Sequence, residues 1–267
     1  MSTEVWASAL AYEPYMGRWS RLVAAEFLAW LDAPPGGRWI DLGCGTGALS
    51  GTILDRADPF DLTAIDRSAG YTQYARRQVR DDRARFLVGD ATTLPLARGL
   101  YDVAVSGLVL NFVPRPEQMV AEMARVVRPH GLVAAYVWDY AGGMEFQRHF
   151  WDAAAALDPR AREVDAGQRF PLCRPEPLAD LWRAVGLEAV ETRAIDVPTR
   201  FCDFDDYWTP FLGGQGTVPG YVMSLSEERR AVLREHLRTR LPVAAGGAIA
   251  LTARAWAVRG RRAGARG

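Results

Sequence analysis

Lysine is absent from this chain of 267 residues: all 32 basic residues are arginine. A lysine Schiff base and a P-loop lysine are thereby excluded, because a permanently protonated guanidinium can serve neither chemistry. Net charge is also missing, with 32 basic residues against 32 acidic, so no polycationic surface for nucleic acid is expected. Arg254 to Gly267 holds five arginines and no acid, which leaves the rest of the chain net negative. Cys44, Cys173 and Cys202 are too few and too scattered for a disulfide framework or a CxxC knuckle. The three histidines and the carboxylates form no ligand cluster, so no metal is expected. A membrane helix wants about 20 apolar residues, and the least polar stretch, Val243 to Val258, contains Gly246, Gly247, Thr252 and Arg254. Met1 to Trp6 shows no basic segment followed by an apolar run. The expectation is a cytoplasmic protein with no membrane or nucleic-acid partner.

What is present is a hydrophobic fraction of 49%, ample for one sizeable core. Apolar residues from Trp19 to Leu31 recur at helical spacing and predict a helix over 18–31, broken by Pro34, Pro35, Gly36 and Gly37. Short apolar strands and helices then alternate. Strands are predicted at 38–42, 62–65, 85–88, 101–106 and 132–138, and helices at 46–56, 69–80 and 116–127. Such alternation implies a parallel sheet covered on both faces by right-handed crossovers, an α/β doubly wound fold. Beyond Trp138 two aromatic, helical stretches, about 140–175 and 200–245, flank a helix and strand over 176–197. A last strand is predicted at 249–258. These insertions are expected to build a cap. The chain thus divides into an N-terminal helical segment (1–37), a core (38–138), the remainder of the core with its insertions (139–258), and a frayed basic tail (259–267).

The most informative segment is Asp41-Leu42-Gly43-Cys44-Gly45-Thr46-Gly47, a glycine-rich turn between the first strand and its helix. Such a turn lets a ligand approach the backbone closely, beside the N–H groups of the helix start. Its GxGxG spacing departs from the GxGxxG of nicotinamide and flavin sites, which disfavours an oxidoreductase. Asp66 closes the second strand and Asp90 the third, so three carboxylates follow one another at strand ends. A single such acid is commonly only a cap; three in order with the glycine turn point to a ligand site.

These residues resemble the class I S-adenosylmethionine-dependent methyltransferases, in the branch of the ubiquinone and menaquinone enzymes. Asp41 to Gly47 is similar to motif I, Asp66 to the ribose-binding acid, and Gly89-Asp90-Ala91 to the adenine-side loop. Tyr101 to Ser106, continuing through Asn111, resembles motif III. Arg128-Pro129-His130-Gly131 resembles the turn before the fifth strand, with His130 where the family often has glycine. The resemblance implies a Rossmann-like sheet of seven strands, the last antiparallel, and S-adenosylmethionine as cofactor. It places Gly43, Gly45 and Gly47 beneath the methionine part, Asp66 at the ribose, and Asp90 and Ala91 at the adenine, with Cys44 and Arg67 also among the cofactor-binding residues. Leu110 and Asn111 are implied near the methyl group. Tyr15 and Arg18 either clamp the cofactor carboxylate or simply open a surface helix.

The implied reaction is methyl transfer to an apolar or aromatic small molecule by in-line displacement, giving S-adenosylhomocysteine. A protein that binds the cofactor without transferring methyl is the alternative. Candidate bases are His149 and Asp139, each of which reads first as an ordinary helix-surface or turn residue. Tyr207, Trp208 and Phe211 are the candidate acceptor-binding rings, beside the flexible Gly213-Gly214-Gln215-Gly216.

Overall fold

The computed structural model describes residues 12–214 and 216–264. Gln215 of the glycine-rich segment 213–216, residues 265–267 of the expected tail and the first eleven residues lie outside the described residues. The strands are β1 (Arg38–Leu42), β2 (Asp61–Asp66), β3 (Ala84–Val88), β4 (Tyr101–Gly107), β5 (Val127–Trp138), β6 (Leu187–Phe201) and β7 (Ile249–Arg262). The α-helices of five residues or more are α1 (Arg18–Leu31), α2 (Ala48–Arg56), α3 (Ala69–Gln78), α4 (Pro116–Val126), α5 (Glu145–Leu157), α6 (Pro175–Ala184), α7 (Phe204–Trp208), α8 (Thr217–Ser224) and α9 (Glu227–Arg238). Local chemistry sets several of these boundaries. Ser68 caps α3 by accepting from the Tyr71 N–H, and Pro116 occupies the first turn of α4. Ser226 caps α9 by accepting from the Arg229 N–H.

The strands form one sheet in the order β3-β2-β1-β4-β5-β7-β6. β1, β2, β3, β4 and β5 pair in parallel, and β7 is antiparallel, as the resemblance implied. By chain contacts the molecule falls into two compact units. The sheet unit comprises Ser20–Val137, Leu172–Ile195 and Ala255–Gly267; the helical unit comprises Met1–Trp19, Trp138–Pro171 and Asp196–Arg254. In the sheet unit, Ile40, Leu42, Ala104, Val133 and Val137 pack with Met119, Val120 and Met123 of α4 and Leu178 and Trp182 of α6. The buried Trp182 keeps its indole N–H satisfied on the Val133 carbonyl at 3.0 Å. The near-continuous apolar run of β5 reflects this two-sided burial.

Three strands run further than periodicity alone suggests. β5 begins at Val127, and an irregularity opposite Tyr101 and Val103 accommodates His130, whose φ is 63°. β6 continues to Phe201. β7 continues to Arg262, which corrects the expectation of a frayed tail from Arg259. The cause is side-chain anchoring: Arg259 pairs with Glu191 at 2.8 Å and donates to the Trp30 carbonyl at 2.9 Å, and Arg262 donates to the carbonyls of Arg125 and Val127.

β3 is an edge strand, and the chain guards that edge. Arg83, accepting from Leu62, and Gly89, donating to Asp66, face β2, so Phe86 turns its carbonyl to the free side. Arg76 of α3 donates to that carbonyl through Nε at 3.0 Å and also through Nη2. Leu87 and Val88 beside it are 43% and 57% exposed. Arg76→Ala is therefore expected to raise self-association measured by sedimentation velocity, because the edge is left open to strand pairing. Unchanged sedimentation would show that the arginine does not guard it.

Candidate active site

The sheet order reverses direction between β1 and β4, and ligands of open α/β sheets bind at the carboxyl ends of strands at such a point. The loop leaving β1 there is held by its backbone. Gly43 and Cys44 donate to the Ile65 carbonyl at 2.7 and 3.0 Å, and Gly47 donates to that of Cys44 at 2.9 Å. Gly45 has a φ of +53°, and a methyl group added to it would meet no atom within 4 Å. The loop thus presents bare backbone to open space. Asp66, at the end of β2, faces it: one carboxylate oxygen accepts from the Gly45 N–H at 3.0 Å, the other from the Ser68 N–H at 2.8 Å. Each oxygen retains a lone pair for a ligand hydroxyl. Burial raises the Asp66 carboxyl, opposed by these two N–H groups and by Arg67.

Asp41 lies deeper than its motif position suggests. It is fully buried on β1, accepts from the Ser50 hydroxyl at 2.6 Å, and is pushed up to about 7 by burial, with Asp66 adding to the shift. Its second oxygen has no partner among the described residues; nor do the Thr46 hydroxyl, the Ser106 hydroxyl or the Asn111 carbonyl oxygen. These four buried polar atoms sit on the elements that converge on the switch point, the arrangement a polar ligand would complete. Motif reading missed Thr46 and Ser106. The readable signal for Ser106 is a lone hydroxyl ending an apolar strand.

The segment after β4 shapes the same region. Leu108 adopts a φ of 64°, a costly conformation for a leucine, and donates its N–H to the Tyr136 carbonyl at 2.8 Å. Leu110 is buried, Asn111 half-buried, and Asp90 exposed, its carboxylate accepting from the Thr92 N–H and hydroxyl, which hold it low. Ala91 packs against the core and Arg67 is exposed. Cys44 is buried, which raises its thiol and leaves it no nucleophile.

The remaining candidates belong to the helical unit. The Tyr15 hydroxyl accepts from the Gln147 amide at 2.7 Å. Arg18 forks an internal carboxylate, Asp206, at 2.7 and 3.1 Å, and donates to the Arg200 carbonyl. Asp139 is buried in a turn, accepting from the Gly142 N–H at 2.9 Å. His149 lies half-buried on α5. Tyr207, Trp208 and Phe211 form part of the unit's buried aromatic interior. Tyr207 donates to the Phe146 carbonyl at 2.7 Å, with Phe211 edge-on to both other rings.

Residues 40–135 match the family described as "Methyltransferase domain". The demethylmenaquinone methyltransferase of Renibacterium salmoninarum is 36% identical over 114 residues, 43% of this chain and 45% of that protein. The 2-methyl-6-phytyl-1,4-hydroquinone methyltransferase of Synechocystis is 28% identical over 202 residues, 73% of this chain and 62% of that one. The chain therefore spans less than two thirds of either relative's length. The phosphoethanolamine N-methyltransferase 2 of Haemonchus contortus, solved with S-adenosylhomocysteine, shares the fold with a TM-score of 0.57 at 14% identity, covering 96% of this chain and 56% of that one. Glycine loop, strand order and domain match agree: residues 40–135 of this chain are similar to a methyltransferase domain, carried on a sheet with the Rossmann-like methyltransferase strand order.

Proposed function

We propose that this protein transfers a methyl group from S-adenosylmethionine to an apolar, aromatic small molecule. The observation that carries the reading is the Asp66 carboxylate facing the bare backbone of Gly45 at the switch point. Asp66 would hold the ribose hydroxyls, Gly43 to Gly47 would lie beneath the methionine part, and Asp90 and Ala91 would border the adenine. Ser106, Leu110 and Asn111 would face the reacting end. The cofactor, when bound, supplies an electrophilic sulfonium methyl. The chain's own task is to orient the acceptor and keep water out. The names of the two curated relatives point to quinone and hydroquinone acceptors, which supports an aromatic acceptor here. Tyr207, Trp208 and Phe211 are the candidate acceptor-binding rings. Should the acceptor need to lose a proton first, His149 is the better candidate base, because Asp139 already spends one oxygen on its turn.

Two measurements test this. Incubation with methyl-labelled cofactor and a panel of quinols and phenols is expected to give a labelled product; tight cofactor binding without transfer across the panel would favour the non-transferring alternative. Asp66→Ala is expected to weaken S-adenosylhomocysteine binding at least about tenfold in titration calorimetry, through loss of hydrogen bonds to a charged group. An unchanged dissociation constant would remove Asp66 from the site.

A further inference from the structure

A cavity of about 280 Å³ opens within the sheet unit, where β1, β4 and β5 begin; the glycine loop leaves β1 at its other end. Leu31, Pro34, Pro35 and Leu132 give it apolar walls, and Arg128, His130 and Arg261 line it with nitrogen donors. Much of this donor capacity is uncommitted. Arg128 holds Asp102 through Nε at 2.6 Å, and Arg261 donates one Nη to the His130 carbonyl at 3.0 Å. The His130 ring has no hydrogen-bond partner among the described residues. Of the two carboxylates in the lining, Asp102 is occupied by Arg128 and by the Arg38 N–H at 2.6 Å, and Asp32 stands exposed at the end of α1. Beside the cavity Arg262 donates to the Val127 carbonyl, and burial, followed by the repulsion of Arg98, holds its guanidinium below the ordinary range. Neither Arg98 nor Arg262 is ion-paired among the described residues, so the surroundings are net positive.

His130 is held here under strain. Its φ of 63° is unfavourable for a residue with a β-carbon, and glycine would adopt it freely. The ring lies against Gly264, where a methyl group would stand 2.9 Å from Cε1. Backbone strain of this kind persists where the surroundings enforce it, and it clusters at ligand sites. Behind the wall formed by Gly37, the Trp39 indole N–H is fully buried and unmatched among the described residues, 3.6 Å from the position a methyl group on Gly37 would take. A donor left over beside a donor-lined cavity is what an acceptor oxygen completes.

We propose that this cavity binds a small organic oxyanion, a carboxylate or a phosphate ester, with its charged head on Arg128, His130 and Arg261 and its apolar body against Leu31, Pro34, Pro35 and Leu132. An oxyanion is the group that fits, because a guanidinium only donates and its fork matches the oxygens of such a head. A cation would be repelled, and a neutral hydroxyl would leave the arginine charges uncompensated. Cavity and glycine loop stand at opposite ends of β1, so this ligand and a nucleoside cofactor do not compete.

The probes are phenyl phosphate, benzoate and benzyl alcohol, titrated calorimetrically into the full chain with and without S-adenosylhomocysteine. At least one of the two anions is expected to bind at least about tenfold more tightly than the alcohol, and the tighter of the two identifies the head group. S-adenosylhomocysteine is expected to change that affinity by no more than about twofold, as for distant sites. Arg261→Gln is expected to weaken the anion at least about tenfold with an unchanged circular dichroism spectrum. His130→Gly is expected to weaken it at least about threefold, while its urea midpoint stays at or above the wild-type value because glycine relieves the strained backbone. No binding of either anion, affinities equal to that of the alcohol, an undiminished affinity in both variants, or displacement of the anion by S-adenosylhomocysteine would overturn the assignment.

Discussion

Gly43→Ala is expected to lower the unfolding free energy by about 2–5 kcal/mol, summing a left-handed backbone penalty and overpacking. The backbone at Gly43 has a φ of +75°, and a methyl group there would stand 2.5 and 2.7 Å from the two methyl groups of Val109. Val109 cannot retreat freely, because the preceding Leu108 already holds a left-handed conformation tied to the Tyr136 carbonyl. Gly45→Ala is the informative contrast. It shares the positive φ but meets no neighbour, so its stability cost is the backbone part alone, about 1–2 kcal/mol. Its methyl group would instead fill the space proposed for the cofactor. Urea unfolding should therefore separate the two variants in stability, while calorimetry should find Gly45→Ala at least about tenfold weaker for S-adenosylhomocysteine. Equal stability losses would mean that Val109 does yield; wild-type affinity in Gly45→Ala would mean that no ligand lies against that backbone.

The second large effect is a loss of stability with rising pH, centred on Asp41. Burial lifts this carboxyl from 3.8 to about 7, so the native state binds a proton that the unfolded chain has already released. A raised carboxyl contributes its full stability below pH 3.8 and loses it as pH climbs toward 7. Between pH 5 and pH 8 this amounts to about 3 kcal/mol. Asp66, also raised by burial, adds to the same slope. Carboxylates held low by arginine, among them Asp196 and Asp206, act in the opposite sense and only at more acid pH. Asp41→Asn keeps an acceptor for the Ser50 hydroxyl and removes the titration. Urea unfolding at pH 5 and pH 8 should show the wild type losing about 3 kcal/mol and the variant markedly less. Parallel losses in both proteins would place the slope elsewhere.

Much of the sheet unit was legible beforehand because its signals are local. Glycines that need positive φ, acids at strand ends and apolar runs each constrain their own few residues, so β1, β2, β4 and the helices between them appear within a residue or two of where periodicity puts them. The same locality explains the failures. The last residues of β7 depend on Arg259 meeting Glu191 and on Arg262 meeting carbonyls more than a hundred residues away, and no window along the chain contains such pairs. Arg18 shows it in another form. An arginine near the start of a helix has a fork to offer, but only the folded chain shows that Asp206 takes it.

Composition and spacing along the chain thus determined that a glycine loop and the Asp66 carboxylate would come to one end of a doubly wound sheet. They excluded lysine-dependent chemistry as well, since the residues concerned are present or absent regardless of packing. Tertiary structure alone decided which polar groups end without partners. Asp41 becomes a proton-holding acid, and Ser106 a hydroxyl unmatched among the described residues, only once burial removes water and neighbours occupy, or fail to occupy, their remaining lone pairs and protons.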